Sequence, residues 1–330
     1  MTTDPHGEVL RAGRDASAAH PSLRSAGPDA VRAALTGMGR RLTDRSDAVL
    51  EANRADLDAA EGVLAPALID RLRLDATRLA RMAAQIEALS RLDDPDPLVG
   101  TRALPDGLVM EERRRPVGVI GANYEARPNV TIDAAALCLK SGNAAVLRGS
   151  SSAAASNAVL AGIFSEAIEA AGLPAGSLEL VAGGGREELG DLARQSEYID
   201  LIIPRGGEGL KNALKEVAEV PVLYAAGGNC HVYVHADADP EMARPIVMNA
   251  KVQRPGVCNA METLLVDAAC APVMIPRLAG ALRAAGVTLR GDGRARALAE
   301  MEPATEADWD EEYLALVCAV AVVDGLDGAL

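Results

Sequence analysis

The segment QRPGVCNAMETLLV, residues 253–266, places a thiol where it could do chemistry. Cys258 follows a Pro-Gly turn and stands just before an apolar run that predicts a strand. The residues alone leave two interpretations open: Cys258 is a small packing side chain, or it is a nucleophile directed toward a substrate. As a thiolate it could attack an activated acyl group and form a thioester, with Asn259 and its backbone N–H holding the oxyanion.

Three predicted strands run directly into glycine or serine and then into a helix, in the segments VLRGSSSAAASN, LVAGGGREELG and IIPRGGEGLKNA. The first N–H groups of a helix are unpaired and the helix dipole favours an anion, so such turns bind phosphate. Any one of them could be a simple turn, and none has the GxGxxG spacing of the standard dinucleotide motif. Three in successive units predict a nucleotide, and a nicotinamide nucleotide could reduce a Cys258 thioester. The candidate residues in the first and third turns are Arg148, Gly149, Ser150, Arg205, Gly206 and Gly207.

The histidines give little support to a hydrolase or a metal site. A cysteine hydrolase would need a histidine partner, yet His6 and His20 lie near the N-terminus, and His231 and His235 alternate with valines along one predicted strand. The Cys230-His231 pair has no second pair at the spacing of metal ligands, so we expect no metal site.

A helical N-terminal region and a later alternation of strands and helices would position the candidate residues. Residues 29–92 carry apolar residues at spacings of three and four, and residues 98–116 predict a β-hairpin. From residue 116 onward strands alternate with helices, which predicts parallel sheets and an α/β fold. We expect a loose N-terminus at 1–28, helices, hairpin and dinucleotide-binding domain at 29–225, and a catalytic domain at 226–330.

The charge and composition argue against several kinds of partner. The formal net charge is −14, which disfavours binding to nucleic acid or to an anionic membrane surface. No apolar run is long enough for a membrane span, and the first residues lack the apolar core of a signal peptide. The five cysteines are widely spaced and odd in number, so we expect a cytoplasmic protein without a disulfide framework.

Four segments together resemble the gamma-glutamyl phosphate reductase family, which is part of the aldehyde dehydrogenase superfamily. They are GANYEARPNVTIDAAALCLKSGNAAVLRG, LIIPRGGEGL, GNCHVYV and NAKVQRPGVCNAMETLLV, and the resemblance extends over residues 28–330. It implies an aldehyde-dehydrogenase-like fold with a parallel-sheet cofactor domain and an α/β catalytic domain. It also implies NADPH-dependent reduction of L-glutamyl 5-phosphate to L-glutamate 5-semialdehyde, with release of phosphate, in proline biosynthesis. Cys258 would form the thioacyl intermediate.

The resemblance assigns roles to further residues. Arg148 would contact the cofactor ribose and help to hold the 2′-phosphate of NADP, and Pro204 to Gly207 would lie under the diphosphate. Glu312 would hydrogen-bond the nicotinamide ribose. Asn129 is expected to contribute to the oxyanion site and to bind substrate, and Arg127 is expected to anchor a phosphate or carboxylate of the substrate.

The resemblance also implies a homo-oligomer, and glutamate 5-kinase as a partner. Family members continue well past residue 330, so we expect the C-terminal part of the catalytic domain to be missing from this sequence. Two alternatives stay open: an aldehyde dehydrogenase that acts on another acyl donor, and a truncated nucleotide-binding remnant without activity. Dependence on phosphate in the reaction with the semialdehyde separates the first alternative from the leading hypothesis.

Overall fold

The computed structural model describes residues 5–94, 98–182, 186–224 and 228–330. The chain divides into two compact units, Met1–Ala225 and Ala226–Leu330. The glycine turn predicted at 183–185 lies outside the described residues. Among the helices of the described ranges, none is both long and apolar enough to cross a membrane.

The first unit begins with a helical region made of α1 (Pro5–Arg24), α2 (Pro28–Asp44), α3 (Ser46–Ala60), α4 (Pro66–Leu72) and α5 (Ala76–Arg91). The prediction of a loose segment at 1–28 is wrong, because α1 occupies most of it and buries Val9, Ala12, Ala16 and Leu23. These side chains recur at spacings of three, four and seven residues, so they share one face of the helix. Burial of that face holds α1 in place.

A β-hairpin follows the helical region. Strands β1 (Leu98–Ala103) and β2 (Val109–Arg113) pair antiparallel, with Ala103 opposite Val109. Every residue of both strands is exposed, so the hairpin adds no buried side chain to the core. Its exposed apolar side chains include Val99, Val109 and Met110.

A parallel sheet forms the rest of the first unit. Its strands are β3 (Val119–Tyr124), β4 (Ala144–Arg148), β5 (Leu178–Val181) and β6 (Leu201–Arg205), in the order β5-β4-β3-β6. The connecting helices are α6 (Pro128–Lys140), α7 (Ala154–Ala170) and α8 (Arg186–Arg194), and α9 (Glu208–Val217) follows β6. Asn123 pairs with both Arg148 and Pro204, so the carboxyl ends of three neighbouring strands meet at one edge. In open parallel sheets, ligands bind at this edge.

The second unit has its own parallel sheet, in the order β10-β9-β11-β8-β7. The strands are β7 (Cys230–Val234), β8 (Met261–Asp267), β9 (Thr288–Gly291), β10 (Glu302–Pro303) and β11 (Val317–Val323). The helices are α10 (Pro240–Val252), α11 (Ala271–Ala284), α12 (Gly293–Arg296) and α13 (Gly325–Ala329). Every residue of β8 is buried, so the turn that precedes β8 is anchored to the core. The predicted α/β fold with parallel sheets is confirmed.

Candidate active site

Cys258 lies in the loop of residues 253–260, between the end of α10 and the start of β8. All five cysteines fall within the described residues, and Cys258 is the exposed one among them. Its loop is turned by a hydrogen bond from the Ala260 N–H to the Val257 carbonyl, 3.0 Å long. The exposure argues against the packing interpretation of Cys258. Asn259 is exposed beside it, as a residue that assists the thiol would need to be.

Two segments of the second unit converge beside the Cys258 peptide. A Cβ atom on Gly228 would lie 2.6 Å from the Cys258 carbonyl oxygen and 3.4 Å from a carboxylate oxygen of Glu312. Glycine therefore permits the close approach that any larger residue would prevent. The structure thus brings together two residues that the sequence placed in one site, Cys258 and Glu312, which are 54 positions apart.

Cys230 contacts the same peptide and was not among the predicted site residues. Its thiol donates a hydrogen bond to the Cys258 carbonyl oxygen at 3.3 Å, from the first position of β7. Burial raises the pKa of the Cys230 thiol, and the neighbouring Cys258, Glu262 and Glu312 add to the shift. Cys230 is therefore held in the protonated form that donates this bond. In the sequence it lies at the start of a predicted strand and within GNCHVYV, one of the four segments that carry the family resemblance.

A buried ion pair lies at the base of the Cys258 loop. Lys251 Nζ is 2.6 Å from Glu262 Oε2, and the two side chains are 0% and 1% exposed. The second Glu262 oxygen, Oε1, accepts a hydrogen bond from the Leu314 N–H at 3.2 Å. Burial raises the pKa of Glu262, while Lys251 and the Leu314 N–H oppose the shift. Neither Lys251 nor Glu262 was predicted as a site residue.

In the first unit, Arg148 is buried at the carboxyl end of β4. Its Nη1 donates to Asn123 Oδ1 at 2.7 Å, and its Nε lies 3.7 Å from Glu188 Oε2. Burial lowers the pKa of Arg148, and the Glu188 charge opposes that shift. A guanidinium stays charged throughout, so Arg148 supplies a fixed positive charge at the edge where ligands bind to parallel sheets.

Gly149 follows Arg148 with no room for a side chain. A Cβ atom there would overlap the amide nitrogen of Asn157 and lie 3.0 Å from a ring carbon of Tyr124. Asn157 is fixed in turn, because its Oδ1 accepts from Thr131 Oγ1 at 2.8 Å. Ser150 begins the next turn, and its Oγ accepts from the Ser152 N–H at 3.3 Å. The predicted turn is therefore a tight backbone corner at the carboxyl end of β4.

The turn after β6 ends at the N-terminus of α9. Pro204 is buried, Arg205 is exposed, and Gly207 is the residue that caps the helix. The Gly207 N–H donates to Glu125 Oε1 at 2.8 Å, so a carboxylate occupies this helix terminus. That contact shows the preference of the terminus for an anion. A diphosphate bound there would have to displace Glu125.

The last predicted residues lie at the start of α6. Arg127 is the residue before the helix, and Asn129 is in its first turn. Asn129 Nδ2 donates to Asp133 Oδ2 at 3.2 Å. Burial raises the pKa of Asp133, while Asn129 and the charge of Arg205 oppose the shift. Asn129 and Arg205 therefore lie around one half-buried carboxyl group, in the first unit. Cys258 and Glu312 belong to the second unit.

Comparisons with known proteins all indicate an aldehyde dehydrogenase. The model of the aldehyde dehydrogenase family matches residues 5–307. The gamma-glutamyl phosphate reductase of Moorella thermoacetica is 48% identical over 326 residues, which cover 98% of this chain and 78% of the relative. The enzyme of the same name from Thermobifida fusca is 44% identical and covers 99% and 79%.

Solved structures give the same result. The crystal structure of gamma-glutamyl phosphate reductase from Thermotoga maritima matches with a TM-score of 0.88 at 38% identity, over 98% of this chain and 78% of that one. The enzyme from Saccharomyces cerevisiae matches with a TM-score of 0.62 at 29% identity, over 97% and 82%.

Proposed function

Since the chain belongs to the gamma-glutamyl phosphate reductase family of aldehyde dehydrogenases, we propose that it reduces L-glutamyl 5-phosphate to L-glutamate 5-semialdehyde with NADPH. The proposed mechanism passes through a thioester on Cys258. The observation that carries the proposal is the place of this residue: it is the exposed cysteine, on a turn anchored to the buried strand β8, and its carbonyl oxygen and the Glu312 carboxylate both lie close to Gly228.

The acylation step follows from the chemistry of the thiol. The Cys258 sulfur attacks the acyl carbon of the substrate, the C–S bond forms, and the C–O bond to phosphate breaks. The negative charge on the carbonyl oxygen needs donors, which we assign to Asn259 with its backbone N–H and to Asn129. Arg127 would hold the departing phosphate or a carboxylate of the substrate. When the thioester is reduced, its C–S bond breaks and the Cys258 sulfur is released for the next cycle.

Features of the first unit fit a phosphate-bearing cofactor. Arg148 is a buried cation at the carboxyl end of β4. Gly149 has no side chain to cover the backbone there, and the N-terminus of α9 already binds a carboxylate. Bound there, NADPH would supply the hydride. We assign the binding of its phosphates and ribose to the following residues: Arg148, Gly149, Ser150, Pro204, Arg205, Gly206, Gly207 and Glu312.

The exposed hairpin fits a second proposal, that the protein is a homo-oligomer. Its apolar side chains, such as Val109 and Met110, are exposed in a single chain, and large exposed apolar areas often mark contact surfaces. Light scattering measures the mass in solution directly, and a monomer at micromolar concentration would refute this proposal.

The experiment runs the reaction in the oxidative direction. Semialdehyde, NADP⁺ and phosphate are mixed with the protein, and NADPH formation is followed with and without phosphate. Cys258→Ala should lower the rate at least ~10³-fold, because it removes the group that forms the covalent intermediate. Cys270→Ala is the matched control, since Cys270 is a half-buried thiol of the same unit, at the start of α11.

The outcomes separate the candidates. A full rate in Cys258→Ala would rule out the thioester mechanism. A rate in the unmodified protein that does not depend on phosphate would indicate another acyl donor. Absence of turnover together with NADPH binding would favour a nucleotide-binding protein without activity.

A further inference from the structure

The loop that carries Cys258 is closed at its base by the buried ion pair. Lys251 lies in the last turn of α10 and Glu262 is the second residue of β8, so the pair joins the two ends of the segment 252–261. The ammonium and carboxylate are 2.6 Å apart, with exposures of 0% and 1%. Cys258 is therefore carried by a loop whose two ends are fixed to each other.

Glu262 also fixes the segment that carries Glu312. One carboxylate oxygen binds Lys251, and the other accepts the Leu314 N–H at 3.2 Å. Leu314 has a φ of 51°, in the left-handed region that a branched side chain such as leucine rarely adopts. The backbone two residues after Glu312 is thus held in an unfavourable conformation, and the Glu262 carboxylate is the group that the structure shows holding it.

Stability alone is a weak explanation for this pair. Taking both charges out of water carries a large desolvation cost, and well-packed apolar residues in their place are often neutral or stabilising. A carboxylate with two fixed partners does provide something that apolar packing does not, namely a defined distance between two segments. Those two segments carry Cys258 and Glu312, which meet beside Gly228.

We propose that Lys251 and Glu262 are positioning residues, which fix the Cys258 loop and the Glu312 segment relative to each other for acylation and reduction. Neither side chain touches a reacting atom. The inference rests on the proposed function, because it assigns the pair a role in that same reaction.

The test uses the double variant Lys251→Met/Glu262→Gln. It leaves no unpaired charge in the core, and it breaks the link between the two segments, because a methionine at position 251 cannot bind the amide at position 262. Arg294→Met is the control, since it removes an exposed ion pair with Asp324 elsewhere in the same unit. Each variant is assayed for kcat, KM and NADPH affinity, and hydrogen exchange is measured in residues 253–260 and 311–314.

The double variant should fold and bind NADPH as the unmodified protein does, while its kcat falls about 10- to 100-fold, the loss expected when reacting groups are misplaced by about 1 Å. Exchange should accelerate in both segments together, and KM should change little. Arg294→Met should show neither effect. A folded double variant with normal kcat and normal exchange would overturn the proposal, and so would loss of kcat without faster exchange in both segments.

Two further outcomes also have a defined interpretation. If the double variant does not fold, Glu262→Gln alone gives the answer by the same measurements, because Lys251 keeps a neutral acceptor. If the unmodified protein shows no phosphate-dependent activity, the proposed function fails. The exchange data still decide whether the pair couples the two segments.

Discussion

Replacing Gly149 by alanine tests the corner at the carboxyl end of β4. The new methyl group would overlap the amide nitrogen of Asn157 and press on the Tyr124 ring at 3.0 Å. Asn157 is 3% exposed and accepts a hydrogen bond from Thr131, which lies 2.8 Å from the Tyr124 hydroxyl. The side chains around Gly149 therefore cannot move aside without breaking a buried network.

The size of the effect follows from two contributions. Overpacking of a well-packed site costs about 1–3 kcal/mol, and loss of one buried hydrogen bond costs about 1 kcal/mol. Gly149→Ala should therefore destabilise the first unit by about 2–4 kcal/mol. Gly162→Ala is the matched control, because Gly162 is exposed inside α7 and a Cβ there meets open space. It should stabilise the protein by about 0.5–1 kcal/mol.

The assay must report on the first unit. The single tryptophan, Trp309, lies in the second unit, so its fluorescence follows the wrong part of the chain. Hydrogen exchange in peptides from β4 and α7, measured over a urea series, gives the local free energy of unfolding. The two variants should differ by about 2.5–5 kcal/mol. Equal stabilities would show that the corner has room, and that Gly149 is not required by packing.

Two other predictions concern the second unit and the thiols. Iodoacetamide at pH 7.5 should label the exposed Cys258 first. Burial raises the pKa of both Cys138 and Cys318 to about 12, so that only ~10⁻⁵–10⁻⁴ of each of these two thiols is ionised. Faster labelling of either buried thiol, detected by peptide mass spectrometry, would contradict this prediction. Hydrogen bonds from Tyr313, and then from Thr305 and Arg290, hold the pKa of Asp308 low in the folded protein. The Asp308 carboxylate therefore contributes its full stabilisation above the pKa of the unfolded state, and this stabilisation is lost as the pH falls through the pKa of the folded state. Asp308→Asn should therefore be less stable at neutral pH and lose part of the acid dependence, which Trp309 fluorescence would show; an unchanged acid profile would refute this.

The sequence predicted the positions of the turns well, for a local reason. Each strand of a parallel sheet ends in a turn that leads to a helix, so the alternation of apolar runs and glycines locates the ligand-binding edge without knowledge of the packing. The tight corner at Gly149 and the helix start at Gly207 are features of this kind. The exposure of Cys258 was not decided by the local pattern, because a Pro-Gly turn before a buried strand left both the packing and the nucleophile interpretations open.

Helix α1 was missed because its buried face is mostly alanine. Hydrophobic periodicity detects a helix by the contrast between its two faces, and alanines such as Ala12 and Ala16 provide little contrast. These alanines are fully buried because the surrounding protein surface packs closely against them, and not because they are strongly apolar. The close approach of that surface depends on the tertiary fold, which periodicity does not contain.

The buried pair at the base of the Cys258 loop depends on tertiary structure in the same way, and the amino-acid composition does not locate it. Of the 33 basic residues only four are lysines: Lys140, Lys211, Lys215 and Lys251. Lys251 and Lys211 are buried, and the side chain of Lys140 is 8% exposed. Three of the four lysines are thus largely shielded from solvent, but Lys215 is exposed and the arginine Arg148 is buried, so a lysine does not by itself mark a buried charge.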